Sequence, residues 1–171
     1  MIRSLAILGA LALTAASSTA FAQQAAAPQR IPAARGPQMA LALEAAETAI
    51  STCATNGYTV AASIVDSAGV LKVLLAADGA TKGAVESSTK KAVTANTMKT
   101  ATSEIQEKIK TDPALAAKVS ADTSLFARAG GLPLMVGGDV IGAVGVGGAP
   151  GGEKDEVCTA AGIDKIKARL K

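Results

Sequence analysis

The chain has 171 residues, 17 Lys and Arg against 14 Asp and Glu, and no His. The missing His excludes Ser-His-Asp and Cys-His catalysis and every His-containing zinc site, and two Cys alone cannot build a four-sulfur centre. A net charge of +3 from scattered charges of both signs, with one Tyr, two Phe and no Trp, lacks the concentrated basic stripe and stacking aromatics of a nucleic-acid binder.

The first 22 residues read as a secretory signal. Arg3 gives a positive start, Leu5 to Ala16 form an apolar run broken only by Gly9 and Thr14, and Ala20-Phe21-Ala22 offers a cleavage site before Gln23. That run is shorter than the ~20 apolar residues that span a bilayer, so the expected product is released to the periplasm or beyond, not membrane-embedded. Gln23 to Pro37, with Pro28, Pro32 and Pro37, reads as a flexible lead. A single domain is expected over 38–171, with a core of Ala, Val, Leu and Ile.

A helix is predicted from Gln38, with Met39, Leu43, Ala46, Ile50 and Cys53 on its inward stripe and Asn56-Gly57 as its stop. Tyr58–Asp66 and Val70–Ala77 read as a hairpin around Asp66-Ser67-Ala68-Gly69. Lys82–Thr97 reads as a helix with Val85, Ala92 and Val93 inward. Ser103–Lys110 is a shorter charged helix, and Asp112-Pro113 caps and opens another. Leu132–Val136 and Val140–Val146 flank the turn Gly137-Gly138-Asp139 as a second hairpin, and Glu153–Lys171 closes the chain as a helix. Two hairpins among helices imply an α+β fold with an antiparallel sheet of four or five strands flanked by N-terminal, central and C-terminal helices.

No catalytic set is visible, and the protein is read as a non-enzyme. Asp155 and Glu156 read as a solvated helix start. The loop Gly147–Gly152 fits neither dinucleotide nor Walker spacing, since Pro150 stands where the former needs Gly; it is a tight connection or a weak anion site. Gly142, Ala143 and Gly145 leave a bare strand surface that admits a packed helix or a ligand. Cys53 and Cys158 form an even pair in an exported chain, which favours a disulfide over two buried thiols or a redox switch.

The segment Gly130 to Cys158, containing Gly130-Gly131-Leu132-Pro133, Gly142-Ala143-Val144-Gly145-Val146 and Gly151-Gly152-Glu153, closely resembles the signature of the GlcG/HbpS haem-binding family. Cys53, Gly57-Tyr58, Val65-Asp66, Asp78-Gly79-Ala80 and Lys91-Ala92-Val93-Thr94-Ala95 follow in the same order. The resemblance spans Gln38 to Leu170. It implies an antiparallel sheet flanked by helices, homo-oligomers, and haem or another planar or acidic small molecule as ligand. It nominates Asp78, Gly79, Lys91, Thr94, Gly131 and Pro133 as ligand-binding residues. Two departures stand out: Ala76-Ala77 replace an Arg that many relatives carry, and Thr81-Lys82-Gly83-Ala84 replaces their Gly-Pro-His-Thr-like segment. Haem would therefore be held without His, by Met98, Met135, Tyr58, a Lys or apolar contacts. The alternative role is a disulfide-stapled interaction module that self-assembles or docks on a membrane sensor.

Overall fold

The computed structural model describes residues 33–171; the segment read as a signal and residues 23–32 of the lead lie outside the described residues. The elements are α1 (Met39–Thr55), β1 (Ala61–Asp66), β2 (Leu71–Ala76), α2 (Lys82–Met98), α3 (Thr102–Lys108), α4 (Pro113–Ala121), β3 (Gly131–Val136), β4 (Asp139–Gly147) and α5 (Gly152–Ile166), the last followed by a short 3₁₀ turn at Lys167–Arg169. The class is α+β, as the two hairpins imply.

Local chemistry places the boundaries. Asp66 Oδ1 accepts the N–H groups of Ala68 and Val70 at 2.9 and 3.0 Å, folding the first turn. Thr81 caps α2 by accepting from the Ala84 N–H at 3.1 Å, and Asp112 caps α4 by accepting from the Leu115 N–H at 2.9 Å. The end of the lead lies against the fold: the Arg35 N–H donates to Ser67 Oγ at 2.9 Å, its carbonyl oxygen accepts the Ser67 N–H at 2.8 Å, and its guanidinium meets Asp139 at 2.8 Å.

The strands form one antiparallel sheet in the order β2-β1-β4-β3. The second hairpin thus adds to the first through β4, and β2 and β3 form the edges. On one face, α1 and α5 cover Val60, Ala62, Ile64, Leu134, Val144 and Val146. On the other, α2 lies across β4 and β1, around Val65, Ala92, Ala95 and Ala143.

The inward stripe of α1 needs correction. Ala46 and Cys53 are buried, but Met39 is 70% exposed and Leu43 40%, while Ala42, Ala45 and Ala49 carry the contact. The reason is close approach. A Cβ added to Gly162 of α5 would stand 2.5 Å from the Ala45 carbonyl oxygen, so only a glycine facing an alanine stripe permits this spacing. Met39 and Leu43 are turned outward, while Leu41 and Ile50 are partly buried against the core. Within this layer Cys53 and Cys158 form a disulfide, with Cα atoms 5.5 Å apart and 105 residues between them in sequence.

Candidate functional site

The α2 face is built by backbone approach. A Cβ on Gly145 would overlap the Ser88 carbonyl oxygen and stand 2.5 Å from the Ala92 nitrogen; one on Gly131 would stand 2.5 Å from the Lys91 carbonyl oxygen. The bare strand surface is therefore filled by a helix, not by a ligand. Ser63 of β1 is buried beneath α2, its hydroxyl 2.9 Å from Ser88 Oγ and 3.0 Å from Thr89 Oγ1.

This close docking drives Lys91 into the interior. Its side chain is 4% exposed, and Nζ donates to Asp155 Oδ2 at 2.6 Å and to the Val146 carbonyl oxygen at 3.0 Å. Asp155 Oδ1 accepts the Ala149 N–H at 3.0 Å. One ion pair thus ties α2, the end of β4, the glycine loop and α5 together. The expectation that Asp155 sits in a solvated helix start is overturned, because it is 2% exposed. Its burial is sustained by an ammonium and a backbone donor, without which a carboxylate would not be retained there. Burial pushes the Asp155 carboxyl above its ordinary range, and the Lys91 ammonium and the Ala149 N–H pull it only part of the way back. Glu156 is half-buried, accepting from Ser103 Oγ at 2.9 Å and from the Gly130 N–H at 3.2 Å. The Ala149 donor that the loop presents is taken by the chain's own carboxylate, which favours the tight-connection reading of Gly147–Gly152.

The other nominated residues divide by position. Thr94 is buried, accepting the Phe126 N–H at 2.7 Å and donating to the Lys90 carbonyl oxygen at 2.7 Å. Gly131 is buried and donates to Thr102 Oγ1 at 2.8 Å. These two and Lys91 come together where α2 meets β3. Pro133 is half-buried on β3 opposite Ala143. Asp78 and Gly79 lie in the exposed connection from β2 to α2, where Gly79 takes φ +85° beside Thr59. Lys91 is roughly 13 Å along α2 from that end.

A cleft of ≈ 680 Å³ lies at the start of α5. Gln106, Ile109 and Lys110 line one wall, Ala127 and Arg128 a second, and Gly151, Gly152 and Glu153 the third. Gln106 is fixed by accepting the Ala129 N–H at 2.9 Å. Arg128 is exposed, its guanidinium 5.8 Å from the Phe126 ring centroid, and it forms no ion pair among the described residues. Sequence reasoning missed this cleft because its walls come from three separated segments that share no motif.

The residues fit the acidic edge of a haem better than its iron. The cleft offers two cations and the apolar Ile109 and Ala127, but no imidazole. Tyr58, Met98 and Met135 do not line it. Tyr58 lies beneath Lys154, 5.3 Å from its Nζ, and Met135 is on edge strand β3. Among the described residues no group of three His, Cys, Asp or Glu side chains can hold a metal ion, and no helix is long and apolar enough to cross a membrane.

Residues 38–164 match the family model described as haem degrading protein HbpS-like. The crystal structure of a Streptomyces reticuli HbpS double mutant is 27% identical, with TM-score 0.73, over 92% of this chain and 99% of that one. A second HbpS crystal structure is 30% identical, with TM-score 0.74, over 83% of this chain and 98% of that one. The PduOC:heme complex is 27% identical, with TM-score 0.71, over 80% of this chain and 97% of that one. No curated protein is significantly similar. A family match over most of the chain, on a fold whose glycines sit where α2 approaches the sheet and α5 approaches α1, establishes that this protein belongs to the HbpS-like family.

Proposed function

We propose that this protein is an exported, non-catalytic binding protein for a planar or acidic small molecule, with haem as the leading ligand. The observation that carries the reading is the cleft, which falls in the range of about 300–1,000 Å³ usual for small-molecule sites and sets Arg128 and Lys110 beside Ile109 and Ala127. A porphyrin has an apolar plane and two carboxylates, which such a lining complements. The similarity to a heme-complexed structure supports haem in particular. Haem would supply its own iron chemistry; this chain's residues would hold its edge and exclude water from one face. Lys91, Thr94 and Gly131 serve the site from behind, by fixing the α2–β3 junction and the start of α5. Asp78, Gly79 and Pro133 keep exposed surface but do not line the cleft, so this reading gives them no contact with the ligand.

Export is supported by the N-terminal apolar run and its cleavage site, and non-catalysis by the missing His and the lack of a nucleophile–base pair. Haemin titration of the protein beginning at Gln23 tests the central reading. The expected result is a saturable Soret shift without loss of the band when a reductant and air are added. A shift no larger than an unrelated protein gives ends the haem assignment, and bleaching faster than free haemin ends the non-catalytic one.

A second reading has its own observation. The edges of the sheet are open, and Leu71 on β2 and Met135 on β3 are 44% and 46% exposed. Open edges with apolar side chains favour pairing with another chain, which fits an interaction module that forms homo-oligomers or docks on a membrane sensor. Sedimentation that shows a monomer at every concentration rules out self-assembly.

A further inference from the structure

The cleft contains its own carboxylate. Glu153 lines it, and the side chain folds back so far that a Cβ on Gly151 would overlap Glu153 Oε1 and stand 2.6 Å from Oε2. Only glycine at 151 leaves room for that position. The other acids near the start of α5 are committed elsewhere, Asp155 to Lys91 and Glu156 to Ser103 and Gly130. On the opposite wall Arg128 has no ion pair among the described residues, while Lys110 is partnered by Glu107 at 2.7 Å. Among the described residues the cleft therefore has one cation without an ion-pair partner and one carboxylate of its own, with a volume of ≈ 680 Å³ between its walls.

We infer that this cleft takes a planar carboxylate, that Arg128 is the residue that anchors it, and that Glu153 is a built-in competitor which an incoming carboxylate must displace. The inference rests on the cleft being the ligand site. Arg128 presents a planar fork of donors suited to a carboxylate. Its position beside the Phe126 ring lets the same guanidinium border an aromatic plane. Glu153 repels a second negative charge in the same space, so it sets selectivity against anions that cannot move it.

The test uses the full mature chain and two probes, 2-naphthoate and haemin, with the variants Glu153→Gln and Arg128→Gln. Amide NMR follows Gly151, Gly152 and Arg128 during the naphthoate titration. The expected result is saturable shifts at those amides, an affinity about fivefold tighter in E153Q and about tenfold weaker in R128Q, with both effects reduced by salt. Equal affinities in all three proteins, or shifts mapping elsewhere, overturn the inference. If naphthoate behaves as expected and haemin does not bind, the haem reading falls and the carboxylate cleft stands. If haemin binds with an affinity that neither substitution changes, the haem reading stands and this inference falls. Thermal melts of both variants keep a folding defect from passing as either outcome.

Discussion

The two faces of the sheet are equally tight but use opposite chemistry. On the α1/α5 face the helices meet through alanines and Gly162 around a buried apolar cluster, a disulfide crosses it, and Glu44 pairs with Lys165 and Arg169 at its rim. On the α2 face the helix meets the strands through Gly131 and Gly145, and the space beside that contact holds hydroxyls and a buried ion pair. Small residues bring backbones together in both. The difference lies in what fills the remaining volume. An apolar layer resists unfolding without specifying a unique arrangement of polar groups, whereas a satisfied polar network admits few alternatives. The candidate cleft opens beside the polar network, where its walls are held in register by Lys91 and Asp155.

The largest test of that contrast is Asp155→Asn. It leaves the Lys91 ammonium buried without a counter-charge, and urea unfolding should show a loss of about 3–5 kcal/mol. Lys91→Met combined with Asp155→Leu should recover most of it, because the cost of desolvating both charges also disappears. A double variant as unstable as the single would mean that the pair itself stabilises the fold. The pH dependence has a defined sign. The folded state raises the Asp155 carboxyl above its ordinary value of 3.8, so folding favours the protonated form. This group's contribution is fully present below that value and is lost as pH rises through the raised one.

On the opposite face, replacing Cys53 and Cys158 together with Ser should cost about 2–4 kcal/mol, since the bridge closes a long loop in the unfolded chain. Calorimetry with and without reductant checks this: wild type should fall toward the variant, and the variant should not respond. The smallest effect is expected at Ser63→Ala, about 1 kcal/mol by denaturant titration. Ser88 and Thr89 keep their bonds to the Val85 carbonyl oxygen, so no donor is stranded. A loss several times larger would show that the hydroxyl cluster acts as a unit.

Punctuation in the sequence was a sound guide wherever a residue acts on its immediate neighbours. Asp66 before Gly69, Asp112 before Pro113 and Gly137-Gly138 between apolar runs all mark the boundaries found. The inward side of α1 was not legible, because hydrophobicity ranks Leu43 above Ala42 and cannot report that α5 comes too close for leucine. Asp155 was misread for a related reason. An acid in a first turn beside a glycine loop is ordinarily solvated, and nothing local announces a lysine 64 residues earlier in the chain.

The residue order by itself determined the helices, the two hairpins, the α+β class, the family and the absence of imidazole chemistry, because caps, turns and periodicity act over a few positions. The two cysteines of an exported chain already favoured the Cys53–Cys158 disulfide, but only the tertiary structure decided that Lys91 and Asp155 neutralise each other inside the protein and that Arg128 and Glu153 face one cleft. Those facts depend on how near whole helices approach the sheet. That distance is set jointly by glycines and alanines on elements far apart in the chain, and no local pattern carries it.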